Sequence, residues 1–100
     1  MATTTNVMAR TAAATSSTTL YTVPSLTTAV VTNIAVANTG ATNATYSILM
    51  NGIELIGTAT VSGNSTVFVD LKQVLSASQV IAGFASNTGV KFHISGVEIA

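Results

Sequence analysis

An all-β chain is predicted, an antiparallel β-sandwich or jelly roll of seven to eight short strands. Three observations predict it. The segment GVKFHISGVEI, Gly89 to Ile99, sets Val90, Phe92 and Ile94 on one side of an extended chain and Lys91, His93 and Ser95 on the other. That period of two is the signature of a half-buried strand. Turn-forming residues recur about every ten positions, at Pro24-Ser25, Asn38-Thr39-Gly40, Asn51-Gly52 and Asn87-Thr88-Gly89. The stretches between them are rich in Val, Ile, Thr and Tyr, which suit a pleated, half-buried surface.

In order along the chain, residues 1–17, MATTTNVMARTAAATSS, show no periodic apolar face and read as an extended N-terminal arm. The folded domain is placed at residues 18–100. Thr18 to Val23, TTLYTV, reads as a first strand, and Pro24 ends it or confines it to an edge. Leu26 to Asn38 reads as the longest strand, with Val30, Thr32, Ile34 and Val36 on one face and the small Asn33, Ala35 and Ala37 on the other. Thr42 to Met50 aligns Ala44, Tyr46, Ile48 and Met50. Asn51-Gly52 is a type I′ hairpin signal, because both residues tolerate positive φ. Ile53 to Ile56 returns as its partner, Gly57 to Gly63 reads as loop or an irregular edge, and Ser65 to Val69 is another strand.

The period changes at Asp70-Leu71-Lys72-Gln73-Val74-Leu75. Leu71, Val74 and Leu75 have i, i+3, i+4 spacing, Asp70 can cap a helix, and Gln73 sits where a capping box places its amide. One short helix is expected near residues 70–76. Gln79 to Ala85 is a strand and the last one follows. Beyond Ser95-Gly96 the apolar residues are Val97 and Ile99, on the opposite phase. An extra residue near Gly96, a β-bulge, would return them to the core.

One hundred residues suffice for one domain with a single core. There is no Cys, so neither disulfides nor thiolate metal sites are expected. MATTTNVMAR lacks the basic and apolar regions of a signal peptide, and no apolar run reaches membrane-spanning length, so no membrane partner is expected. The sequons Asn43-Ala44-Thr45 and Asn64-Ser65-Thr66 carry little weight without a secretory route.

Charge is the informative quantity. Only 6% of residues are ionised, Arg10, Lys72 and Lys91 against Glu54, Asp70 and Glu98, and the net charge is zero. Typical domains are about 25% charged. This composition excludes nucleic-acid binding by phosphate neutralisation. The polar surface must be Thr, Ser and Asn, which lose little rotamer entropy on burial, whereas Lys and Glu are the residues depleted from interface cores. A packed homo-oligomer or assembly component is expected, over a neutral monomer.

No chemistry is expected. His93 stands alone on the polar face of its strand and lacks the oriented partner a general base needs, so a surface or interface histidine is the reading. Glu54, Asp70 and Glu98 are far apart in sequence. No nucleophile elbow, phosphate loop, dinucleotide fingerprint or calcium loop is present. Tyr21, Tyr46, Phe68, Phe84 and Phe92 have strand spacing and read as core, and no Trp is available to stack on a sugar. The expectation is no catalytic, cofactor or metal residue, and no enzyme.

The words Leu20-Tyr21-Thr22-Val23-Pro24, Thr28-Ala29-Val30-Val31-Thr32-Asn33-Ile34, Asp70-Leu71-Lys72-Gln73-Val74-Leu75 and His93-Ile94-Ser95-Gly96-Val97-Glu98-Ile99 together resemble small β-rich structural proteins of tailed bacteriophage virions. These include capsid cement (decoration) proteins and tail or fibre modules. The resemblance spans residues 18 to 99. It implies a virion location, a homotrimer or higher oligomer, and a major capsid protein or other virion protein as partner. A cement protein bridging capsid subunits is the first expectation. A tail, neck or fibre module with a receptor- or glycan-binding role is the alternative.

Overall fold

The computed structural model describes residues 3–100. Among them are eight strands and no helix. These are β1 (Thr3–Ala12), β2 (Thr18–Thr22), β3 (Thr28–Asn38), β4 (Ala44–Met50), β5 (Ile53–Val61), β6 (Ser65–Leu75), β7 (Val80–Ala85) and β8 (Val90–Ile99). They form two four-stranded antiparallel sheets, ordered β1-β8-β3-β6 and β2-β7-β4-β5. The inward faces of the two sheets build one core. Val31, Ile34, Val36, Phe92 and Ile94 come from the first sheet, and Tyr46, Ile48, Met50 and Ile81 from the second. The Phe92 and Tyr46 rings meet edge to face across the layers, centroids 6.4 Å apart. Burial of each such side chain contributes roughly 1.5–3 kcal/mol.

The strand pattern of the sequence explains most of this. Ala44, Tyr46, Ile48 and Met50 alternate inward on β4 and are buried. Asn51 and Gly52 follow with φ of 50° and 84°, the left-handed pair that a tight hairpin matched to strand twist requires. Met50 pairs with Ile53 to close it.

Two expectations are corrected. Residues 70–75 are not helical; they continue β6. Asp70 caps nothing, and its carboxylate accepts a bond from Asn33 Nδ2 at 3.2 Å across the strand pair. A helix of one or two turns lacks the length to sustain itself, whereas continuing the strand carries Val67, Val69 and Leu71 inward and buries Leu75 opposite Ala29. The exposed Val74 is the residue that falls off this face. The second correction concerns the arm: Thr3–Ala12 is β1, laid antiparallel along β8, while residues 1–2 lie outside the described residues. Its alternation is hidden because Thr fills its first three positions and Met8 is a bulge. Of the two readings for Gly57 to Gly63, the irregular edge holds for Gly57 to Val61, the second half of β5, which pairs with β4 through bulges at Leu55 and at Gly57-Thr58.

The phase change near Gly96 exists, but on the neighbouring strands. Between Ser95 and Ile94, β1 carries an extra residue, Met8. Between Gly96 and Ser95, β3 carries an extra residue, Thr32. The alternation of β8 runs straight through, so Val97 pairs with the outward Val30 and Thr5 while Glu98 turns inward. On β3 the alternation breaks instead: Ala29 and Val31 point inward, then Ile34 and Val36, and Val30 and Thr32 lie outside.

Gly96 makes this crossing possible. A Cβ there would lie 2.2 Å from the Val30 carbonyl oxygen and 2.5 Å from Met8 Cε. No rotamer relieves a clash with backbone. Gly96→Ala is expected to destabilise by about 2–3 kcal/mol, seen in thermal unfolding as a fall in Tm of about 8–20 °C.

At one end of the molecule the Tyr21 hydroxyl of β2 donates to the Glu98 carboxylate of β8, tying the sheets together. Burial first, then the bond to Glu98 and its negative charge, hold the Tyr21 hydroxyl well above its ordinary value. Burial raises that of Tyr46 as well. A raised value in the folded state means the stabilisation is whole below about pH 10, the ordinary tyrosine value, and drains away as pH climbs beyond it. Thermal unfolding between about pH 8 and 11 should show Tm falling above pH 10. Tyr21→Phe should lower stability at neutral pH by about 1–3 kcal/mol, the worth of a bond to a charged acceptor, and should flatten the alkaline decline.

Candidate interaction surface

The outward face of the β1-β8-β3-β6 sheet is the candidate. Strand pairing lays its side chains out in rows across all four strands. One row is Thr5, Val97, Val30, Val74. The next is Val7, Ser95, Asn33, Asp70, and then Arg10, His93, Ala35, Phe68, and finally Ala12, Lys91, Ala37, Thr66. With strands about 4.8 Å apart, each row spans roughly 15 Å. Side chains of one to three heavy atoms occupy most of these positions, so the face is low in relief and loses little side-chain entropy when covered. A shallow groove lies over the bulges, lined by Thr5, Val7, Thr32, Ser95 and Val97.

This face collects charge of one sign from a neutral chain. The cations Arg10 on β1, Lys91 on β8 and Lys72 on β6 are all here, with Asp70 as the acid among them, and His93 of β8 lies beside Arg10. The other two acids are elsewhere: Glu98 turns inward to Tyr21, and Glu54 sits on β5 of the other sheet. The polar contacts fix the basic groups. Arg10 Nε donates to His93 Nδ1 at 3.2 Å. Lys91 Nζ donates to Thr39 Oγ1 at 3.2 Å and to the Thr88 and Gly89 carbonyls at 3.3 and 3.4 Å. Arg10, Lys91 and His93 line a second hollow with Thr11 and Ala12.

His93 faces a guanidinium rather than a carboxylate, the wrong orienting partner for a general base. Glu54, Asp70 and Glu98 stand on three different strands, β5, β6 and β8. Among the described residues, no three His, Cys, Asp or Glu side chains group together. Phe68, read as core from its spacing, is 69% exposed on this outward face. Ser47 is buried, with Oγ accepting the Thr58 amide at 3.0 Å.

The basic residues come from positions 10, 72, 91 and 93. Only the strand pairing unites them, and no local motif announces it. Charge segregation of this kind is measurable without a partner. At pH 7 and low salt, the neutral protein should be retained on a sulfonate cation exchanger, and the double variant Arg10→Gln/Lys91→Gln should elute at clearly lower salt. Glu54→Gln should leave retention by this face in place. Comparison of the chain with protein-family models and with curated proteins returns no match.

Proposed function

We propose that this chain is a non-enzymatic structural building block of a virus particle, a cement protein that docks across neighbouring shell subunits and braces them. The observation that carries the reading is the low, short-side-chain face of the β1-β8-β3-β6 sheet, where the basic residues of the chain are gathered. The resemblance to tailed-phage virion proteins supports it. So does the connectivity: strand order β1-β8-β3-β6 over β2-β7-β4-β5 is the order of an eight-stranded jelly roll, an architecture used by viral capsid domains. The proposed site of action is the assembled virion, and the proposed partners are the major capsid protein and further copies of this chain.

The mechanism follows from surface physics. A face of Thr, Ala, Ser and Val is desolvated and ordered at small entropic loss. Its basic residues steer it toward an acidic partner surface and fix the docking register. Each contact is modest, but an oligomer that engages several subunits at once gains from effective concentration, so weak junctions add up to firm attachment. The rigid two-layer body then bridges the junction without hinging.

Quantitative mass spectrometry of purified particles tests the reading. Hundreds of copies per particle are expected for a cement protein. A few to dozens would place the chain in the tail, neck or fibre instead. A protein that is missing from particles and has no affinity for added shells would overturn the virion role altogether.

A further inference from the structure

The edges of the two sheets differ in how they are protected. β2 has five residues, a bulge at Leu20 and Pro24 just beyond it. β5 is bulged at Leu55 and again at Gly57-Thr58, where Thr58 has a φ of 51°. β1 is bulged at Met8. Short, bulged or kinked edges resist pairing with another chain. The fourth edge, β6, also carries one surplus residue, at Leu71-Lys72 opposite Thr32 of β3, but it differs in its regularity. It runs eleven residues with neither Pro nor Gly, and its far side has no strand partner among the described residues. Its register against β3 slips by one residue between Asp70 and Gln73, yet exposure alternates without a break from Val67 to Val74.

The outward residues of that edge read Phe68, Asp70, Lys72, Val74. They are arranged symmetrically about Leu71. Phe68 and Val74 are large apolar residues left 69% and 66% exposed, and the two between them are of opposite charge.

We propose that β6 pairs antiparallel with β6 of a second copy of this chain, about a two-fold axis at Leu71, to make one continuous eight-stranded sheet. In that register Asp70 faces Lys72 of the second copy and Phe68 faces its Val74, and the symmetry makes each contact twice. The inward Val69 meets Gln73, and Val67 meets Leu75. The register is set by charge. Centring the axis on Asp70 or on Lys72 opposes like charges directly, which destabilises a cross-strand pair. Centring it between residues would set inward side chains against outward ones, which the period of two forbids. Main-chain hydrogen bonds supply the ladder, and the side-chain rows select the partner, as in strand addition to an exposed edge. The pairing stands whether or not the chain belongs to a particle. In a particle it would double the width of the docking face.

Sedimentation velocity of the full chain tests this, over about 1 to 200 µM, the range where weak self-association is read. The wild type should show a monomer–dimer equilibrium. Asp70→Lys and Lys72→Asp should each raise the dissociation constant by about tenfold, since both symmetric pairs turn from attraction to repulsion. The double exchange Asp70→Lys/Lys72→Asp should restore association to near wild type. Lys72→Asp keeps the Asn33–Asp70 bond, so it separates charge at the edge from any loss of that contact. Circular dichroism confirms that each variant is folded. A monomer throughout the range overturns the pairing, as does a trimer, the state implied by the resemblance. So does a dimer indifferent to the single exchanges or not rescued by the double.

Discussion

At Gly96 three strands come closer than side chains allow. β8 lies between β1 and β3, and each neighbour fits one more residue than β8 does at this level, Met8 on one side and Thr32 on the other. The space for that comes from the hydrogen that stands where a Cβ would strike the Val30 carbonyl. Much of the molecule follows from this junction. The extra residue in β3 lets Val31 and Ile34, three positions apart, both reach the core. It sends Val30 outward to join Val97 and Val74. The same junction turns Glu98 inward, within reach of Tyr21 on the opposite sheet. Bulges increase local twist, and a paired bulge on both flanks of one strand lets the sheet coil over its partner without breaking the ladder.

That inward turn of Glu98 has an electrostatic consequence. The chain is neutral, with three acids and three bases. Removing Glu98 to the interlayer space and Glu54 to the other sheet leaves Arg10, Lys72, Lys91 and His93 on one face with Asp70. Structural need and surface chemistry are thus coupled through one residue. The carboxylate that ties the sheets together is also one that would otherwise balance the basic face. A neutral composition does not imply a neutral surface, because folding sorts charges by strand parity.

What could be read in advance depended on how local its cause was. The Asn51-Gly52 turn, the inward run Ala44, Tyr46, Ile48, Met50, and the Phe92 and Ile94 face are each decided within a few residues, and the fold has them. Two antiparallel sheets without a helix follow from the same local patterns, apart from β6. There, helical spacing of Leu71, Val74 and Leu75 competed with pairing to β3, and pairing prevailed because a long-range partner existed that the spacing could not reveal. β1 went unread for the same reason: a Thr-rich strand has no apolar stripe of its own and takes its structure from β8. The bulge was legible as a phase change but not as to its bearer, since an offset between strands is relative and only the pairing says which one holds the surplus residue. Of the candidate surface, the abundance of small side chains was plain from composition. The gathering of residues 10, 72, 91 and 93 was not, because it is a property of strand order.

The edges show how far this composition can be pressed. Thr and Val favour strands, and a chain rich in them, with few charges, has little besides backbone geometry to keep its edges from pairing indiscriminately. Geometry is what three of the edges use. The two surplus regions of β5 twist its rim, and Thr58 accepts a left-handed φ that a β-branched residue seldom adopts, held there by the hydrogen bond its backbone N–H donates to Oγ of the buried Ser47. Such strain persists only where surrounding structure enforces it. β6 has one surplus residue, at Leu71-Lys72, yet its exposure alternates unbroken and it has neither Pro nor Gly; it carries two of the six charges of the chain on its outward face, between two exposed apolar residues. On a surface where ionised groups are this scarce, opposite charges set symmetrically about one residue specify a register rather than repel all comers.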